Sequence, residues 1–368
     1  MKYCPTADFF FVFLQSLIYE AVSMNVNIRA LALVFLVLYL AGCGPDEARR
    51  RTILNVSYDP TRELYRDINT AFVADCEKRG LHGVRVEQSH AGSGKQARAV
   101  MDGLDADVVT LALGYDIDIL AYYGHLMKTD WAKSFPNNSS PYYSTIVFLV
   151  RKCNPKAIHD WGDLVREGVT VVMPNPKTSG GARWNYLAAW YWAKHRHGGE
   201  ESDETIMDYL VELFRHTPVL STGARGATNT FIQQEMGDVL VSWENEALMS
   251  QNDRPQDGYE IVYPSISVKA EPPVAIVDIS VDLHENRSLV ESYIKYLYSD
   301  EAQRLVAKHF YRPWRSDVAD REDMKRFKEI PMITVDDAFG GWMAAHAIHF
   351  GKGGTFETVM KRVTASQK

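Results

Sequence analysis

Three times in this chain a short apolar run gives way to small residues that open a helix-like segment. This repeated join limits the fold more than any other feature. The joins are Ser89-His90-Ala91-Gly92-Ser93-Gly94-Lys95, Asn175-Pro176-Lys177-Thr178-Ser179-Gly180-Gly181-Ala182-Arg183 and Ser221-Thr222-Gly223-Ala224-Arg225-Gly226-Ala227-Thr228. Apolar runs lie at 53–56, 84–86, 108–113, 146–150, 169–173 and 239–243, with helix-like segments between them. Strands that alternate with helices make an α/β fold with mainly parallel sheets. The first helix is the clearest: Asp59 stands at the N-cap, Pro60 at the first helical position, and Leu64, Ile68 and Phe72 recur four apart on one face. Two stretches, 136–143 with its Asn, Ser and Pro, and 264–273 ending in Pro-Pro, read as crossings between domains. Two crossings make one domain discontinuous. The expectation is domain I at 52–140 and 268–368, domain II at 141–267, and between them a cleft of the kind that holds small ligands.

Each join presents the start of a helix, where backbone N–H groups lack intrahelical partners and about half a positive charge accumulates. Glycine there lets an oxyanion approach the backbone. Three such ends converging on one cleft build an anion site. Overall charge does not help: Lys and Arg total 40 against 47 for Asp and Glu, a net charge of -7, which excludes a protein that holds nucleic acid by general phosphate attraction. An anionic partner must be recognised locally.

Enzyme motifs fail residue by residue. A phosphate-binding P-loop ending at Gly94-Lys95 needs glycine where Ser89 stands and a hydroxyl where Gln96 stands. Ser93 as a nucleophile elbow needs glycine at both Ala91 and Lys95. His90 beside a glycine loop reads as structural, and no His/Glu pair stands at ligand spacing, so neither a metal nor another cofactor is expected. The pairs Tyr122-Tyr123 and Tyr142-Tyr143 read as half-buried phenols rather than ferric-iron ligands. Trp184, Trp190 and Trp192 recur at helical spacing and read as core. Trp243 ends an apolar run on the side that faces the cleft, and its indole N–H can only donate. The four cysteines, at 4, 43, 76 and 153, show no C-x-x-C spacing, and whether Cys76 pairs with Cys153 is open.

The N-terminus reads as an address. Apolar runs at 9–18 and 30–40 are each shorter than the roughly 20 residues of a membrane-spanning helix. The second follows Arg29 and ends Leu40-Ala41-Gly42-Cys43, which gives a secretory signal over 1–42, with Met24 as a start that yields ordinary signal length. The ending resembles the bacterial lipobox, in which the cysteine, here Cys43, is lipidated and becomes the first mature residue. A polar linker then runs to 51.

These segments together resemble the periplasmic sulfate-binding and thiosulfate-binding proteins of bacterial ABC importers. The resemblance is carried by Asn55-Val56-Ser57-Tyr58-Asp59-Pro60-Thr61-Arg62-Glu63-Leu64-Tyr65 and by 88–97, 106–113, 174–190, 223–231 and 237–247. It implies a type II periplasmic binding protein, two α/β domains joined by a two-crossing hinge, that closes on its ligand and presents it to a membrane permease. It implies a periplasmic, monomeric, non-catalytic receptor that meets the membrane only through a lipidated Cys43. Position by position it implies uncharged donors: the backbone N–H of Asp59, the hydroxyl of Ser93, the run Ser179-Gly180-Gly181, the backbone N–H of Ala224 and the indole of Trp243. Ala91 and Thr178 depart from glycine and serine in the family pattern, and neither removes a donor.

Sulfate has lost both protons at neutral pH and only accepts hydrogen bonds, so a pocket of donors fits it. Hydrogen phosphate carries a proton that such a pocket meets with another donor and rejects. Roughly seven hydrogen bonds to an ionised acceptor, each about 1.5–3 kcal/mol, leave about 8 kcal/mol after association and closure, which is micromolar affinity. Arg183 and Arg225 are expected behind the loops, bonding loop carbonyls and polarising the peptides that face the anion. The Asp59 carboxylate is expected to cap the first helix, with only its N–H toward the cleft. The expected function is high-affinity binding of sulfate or thiosulfate for import, and the donors serve both anions alike. The rivals are an enzyme acting on sulfate or phosphate esters, which adds a nucleophile and a base to the same site, and a receptor for another oxyanion such as phosphate or molybdate.

Overall fold

The computed structural model describes residues 47–365. Met24, Cys43 and the signal segment 1–42 lie outside the described residues. After a helical turn at Glu47–Arg50 come β1 (Thr52–Tyr58), α1 (Arg62–Lys78), β2 (Arg85–Ala91), α2 (Ser93–Met101), β3 (Val108–Thr110) and α3 (Gly114–Tyr122). The chain then crosses to β4 (Ile146–Val150), β5 (Val171–Pro174), α4 (Gly180–His195), α5 (Asp203–Arg215), β6 (Leu220–Ser221), α6 (Ala224–Ile232), β7 (Val239–Trp243), α7 (Glu244–Asp253) and β8 (Glu260–Val262). It returns through β9 (Val274–Ile276) and α8 (Asp278–Leu283), and after further helices reaches α9 (Thr355–Ala365).

Two larger sheets result, in the orders β9-β3-β1-β2 and β6-β5-β7-β4-β8, beside two short ladders that pair 142–143 with 312–313 and 267–268 with 332–333. Strands joined through helices are parallel: β1 with β2 and β3, and β5 with β6 and β7. The antiparallel strands are β9 on β3, and β4 on β7 and β8. Both β4 and β9 are the first strand of a larger sheet after a crossing, so no helical crossover obliges them to run parallel. All five residues of β4 are buried, as befits a strand covered on both faces. Leu64, Ile68 and Phe72 of α1 are buried in one core with Tyr65 and Tyr293, as their spacing predicts. A 3-10 turn at Asp59–Thr61 precedes α1, so the helix proper starts later than its Asp-Pro signature indicates.

The two crossing segments lie side by side. Ser144 and Ala270 exchange both backbone hydrogen bonds at 2.9 Å, and Thr145 Oγ1 donates to Val268 O at 3.0 Å. Behind them the buried Glu244 of α7 accepts from Arg312 Nε and Nη2 at 2.6 and 2.8 Å. The C-terminal helices, placed with 268–368 in domain I by the sequence reading, touch both domains: His346 stacks on Tyr115 of α3 with ring centres 3.6 Å apart, and apolar side chains also reach α4 and α5. Val335, Ala345, Phe350, Phe356, Val359 and Val363 are buried with Trp184, Tyr186, Leu210 and Phe214 of α4 and α5. The cause is apolar: α5 has a stripe that water would otherwise cover, and α9 carries the matching one. Cys76 and Cys153 are both free, the first buried and the second exposed.

Candidate functional site

Open α/β sheets gather their loops at the carboxyl ends of their strands, and ligands bind there. In this chain those ends deliver Asp59 after β1, Ser93 after β2, Ser179, Gly180 and Gly181 after β5, and Ala224 after β6. All six line one small cavity, together with Tyr58, Gly92, Ala112 and Gly223. Trp243, the last residue of β7, stands against it: a Cβ on Gly181 would collide with Trp243 Nε1. The seven donor positions expected from the sequence therefore meet in one place.

The domains approach closely here, and two glycines make that possible. A Cβ on Gly180 would stand 2.7 Å from Ala112 Cβ and 3.1 Å from Ser93 Cβ, both in the other domain. Gly92 in turn has Thr178 O 3.0 Å from its Cβ position. Ser93 opens α2, Gly180 and Gly181 open α4, and Ala224 opens α6, so their N–H groups have no carbonyl one turn back. Ser179 is the N-cap of α4; its Oγ accepts from Ala182 N at 3.4 Å, which leaves the hydroxyl proton to give. Trp243 Nε1 is buried without a hydrogen-bond partner, and so is the hydroxyl of Tyr58, whose ring lies 5.7 Å from that of Trp243. An unpaired buried donor costs about 1–3 kcal/mol, a cost that an acceptor in the cavity removes.

Three expectations need correction. The Ser93 hydroxyl is not free: it donates to Asp116 Oδ2 at 2.5 Å and accepts from Ala112 N at 2.9 Å. What remains of Ser93 for an anion is its backbone N–H. The Asp59 carboxylate does not cap the helix. The 3-10 turn moves the cap position to Tyr58, so Asp59 sits inside the first turn; Oδ1 pairs with Arg62 at 3.4 Å and Oδ2 points at Gly223 across the cleft. Arg225 bonds no loop carbonyl. Its Nε and Nη2 donate to Glu246 at 2.9–3.2 Å, and Nη1 and Nη2 donate to Glu63 at 3.2 Å. A fully buried carboxylate such as Glu246 demands a counter-charge more strongly than a carbonyl does. Arg183 Nε donates to one loop carbonyl, Pro176 O, at 3.1 Å.

Charge at the site is thus compensated behind the loops. Burial pushes the Glu246 carboxyl up, against the pull of Arg225. Burial also opposes ionisation of Glu63, but the Arg225 guanidinium outweighs it and holds Glu63 below the usual carboxylate range. Asp116 is raised by its burial, with Arg183 and the Ser93 hydroxyl acting the other way. His90 is depressed by burial and has Nδ1 3.3 Å from Tyr58 O, a structural placement. Trp184 is core, and its Nε1 also donates to Ala112 O across the cleft at 2.9 Å. Trp190 and Trp192 pack partly buried against the same core. Tyr142 is buried with its hydroxyl on Tyr65, whereas Tyr122 and Tyr123 are exposed.

Sequence reasoning missed Asp116, Glu63 and Glu246. Glu244-Asn245-Glu246 reads as the polar first turn of a surface helix, and only its position directly behind Trp243 hints that it is buried. Glu63 reads as an ordinary first-turn acid of α1.

The chain matches a family described as bacterial extracellular solute-binding protein over residues 53–312. It is 52% identical to the sulfate-binding protein of Salmonella typhimurium over 310 residues, 84% of this chain and 93% of that one. It is 45% identical to the thiosulfate-binding protein of Pseudomonas aeruginosa over 307 residues, 83% of this chain and 91% of that one. In structure it is similar to the sulfate-binding protein SubI from Mycobacterium tuberculosis, with a TM-score of 0.70 and 30% identity over 80% of this chain and 98% of that one. The matched stretch contains both larger sheets apart from Thr52, the first residue of β1, and every residue of the cavity, and on that ground the chain belongs to the bacterial extracellular solute-binding proteins, with the two-domain type II fold.

Proposed function

We propose that this protein binds sulfate or thiosulfate between its domains and delivers the anion to the permease of an ABC importer. The observation that carries the reading is the Trp243 indole N–H, buried and unpartnered beside the glycines that open α4. The names of the relatives, sulfate-binding and thiosulfate-binding, support the same ligand class. The donors are the backbone N–H groups of Asp59, Ser93, Gly180, Gly181 and Ala224, the Ser179 hydroxyl and the Trp243 indole. Arg183 steadies the loop at Pro176, and Arg225 joins the domains. Closure forms the Arg225–Glu63 pair and the Trp184–Ala112 hydrogen bond over the anion. Opening at the permease must break both.

The protein is a receptor and not an enzyme. Ser93 Oγ is spent on Asp116 and His90 on the Tyr58 carbonyl, so neither forms a nucleophile–base pair with the other. The domains divide near 140 and 268, with the C-terminal helices packed against both. Residues 1–42 export the chain to the periplasm, Cys43 carries the lipid, and the protein works as a monomer. Isothermal titration of the chain from Gly44 tests this with sulfate, thiosulfate and phosphate in separate runs. One-to-one binding of a sulfur oxyanion at micromolar Kd or tighter, with none of phosphate, is the expected result. No binding of either sulfur anion, together with turnover of an aryl sulfate, would establish the enzyme instead.

A further inference from the structure

The first sheet has two ends. Its carboxyl strand ends form the cleft, and its amino strand ends surround the point where the chain enters the fold. There Arg49 donates to Asp105 O at 3.1 Å, Arg51 donates to His82 O at 2.7 Å, and Asn286 donates to Thr52 O at 2.9 Å. Eleven large apolar side chains are exposed among the described residues, and six of them belong to this end: Leu81, Met101, Tyr122, Tyr123, Ile279 and Leu283. They lie at neighbouring positions around it. Leu81 shares a surface pocket with Glu285 and Asn286, which follow Leu283 at the end of α8. Ile279 is one turn before Leu283, and its N–H donates to Leu126 O at 3.2 Å. Leu126 Cγ and Met101 Sδ both stand about 3 Å from a Cβ position on Gly124, beside Tyr122 and Tyr123. Leu283 and Tyr123 are 69% and 67% exposed.

We propose that this end of domain I rests on a lipid bilayer, with Leu81, Ile279 and Leu283 entering the acyl boundary and Tyr122 and Tyr123 at headgroup depth. The inference rests on the lipid attachment at Cys43 in the proposed function. Cys43 precedes Ala48 by five positions. A chain spans at most about 3.6 Å per residue, so an anchored Cys43 keeps Ala48 within about 18 Å of the bilayer. A tether that short presents the end where the chain enters, not the cleft. Tyrosines around aliphatic side chains are the composition that settles at a membrane interface. Two arginines at the rim are engaged, Arg49 with Asp105 and Arg50 with Glu285. Seven-residue β1 separates this end from the cleft by about 20 Å, which leaves the anion's entrance facing water.

Hydroxyl-radical footprinting tests the proposal with native side chains as probes. The chain from Cys43 to Lys368, with Cys153→Ser so that only Cys43 reacts, is coupled through Cys43 to a maleimide phospholipid in phosphatidylethanolamine/phosphatidylcholine vesicles. Oxidation of Met101, Tyr122 and Tyr123 should slow at least threefold relative to the uncoupled chain, while Met343 and Trp314, exposed elsewhere, should keep their rates. Leu283→Glu combined with Ile279→Glu should abolish the contrast without changing sulfate affinity. Equal slowing at Met101 and Met343 would overturn the proposal. So would protection of the patch in the uncoupled chain accompanied by sedimentation as a dimer, which would assign the face to a second copy. Because the coupling is chemical, the natural anchor is judged separately: a Cys43 found without lipid in chain isolated from cells would overturn the anchoring reading and with it the proposal, whatever the footprint of the coupled chain.

Discussion

An indole N–H has one hydrogen bond to give, and in Trp243 it is aimed at the seam between two domains with nothing to receive it. Trp243→Phe keeps the ring against Tyr58 and Trp184 and removes the donor alone. Sulfate affinity should fall about 10- to 100-fold, since a hydrogen bond to an ionised acceptor contributes about 1.5–3 kcal/mol. The Tm of the unliganded protein should stay level or rise, because a buried unpaired donor is gone; titration and scanning calorimetry together check both halves. Gly181→Ala differs: its Cβ meets Trp243 itself, so affinity and Tm should fall together. The three helix starts were legible in the sequence because they are written locally, as serine and glycine after an apolar run, and the resemblance assigned the individual donors. The direction of the Ser93 hydroxyl and the partners of Arg225 were not, because Asp116, Glu246 and Glu63 lie 23, 21 and 162 positions away from them.

Among the elements, α1, α6 and α7 are joined by the Glu63–Arg225–Glu246 cluster, whose two arms should respond differently. Glu63 and Arg225 are about one-third exposed, so Glu63→Gln should weaken sulfate binding by only about 0.2–1 kcal/mol, with an unchanged Tm and a smaller effect at high salt. Arg225→Met strands Glu246 in the interior and should cost on the order of 3 kcal/mol of stability by chemical denaturation. The C-terminal segment carries a pH dependence. Burial pulls His349 down from 6.5 to about 4, and burial together with Arg183 and Lys177 does the same to His346. Between those pH values the unfolded chain binds more protons than the folded one, so stability is whole above about pH 6.5 and is lost as pH falls toward 4. His349→Phe, in its ring of Tyr186, Trp190, Phe339 and Phe350, should flatten that acid limb of Tm against pH. Strands 146–150 and 239–243 coincide with their apolar runs, yet the antiparallel entry of β4 and β9 follows from the crossings and leaves no mark in composition.

For the whole molecule, alternating strands and helices with two Pro-rich crossings sufficed to read two α/β domains and a cleft. The sequence did not reveal that the C-terminal helices also cover domain II, because an amphipathic stripe states that it needs a partner and not which one. In the proposed function the closed cleft selects its anion by the absence of a proton, since six of its seven donors are N–H groups with no lone pair for a proton to bond. Fluorophosphate tests this most directly: above neutral pH it is a tetrahedral phosphorus dianion that carries no proton, whereas hydrogen phosphate carries the same charge and one proton. Isothermal titration at pH 8 should give fluorophosphate a Kd within about tenfold of that for sulfate and leave hydrogen phosphate without measurable binding. If hydrogen phosphate binds as well as fluorophosphate, or if both are rejected while sulfate binds, selection by the proton is wrong.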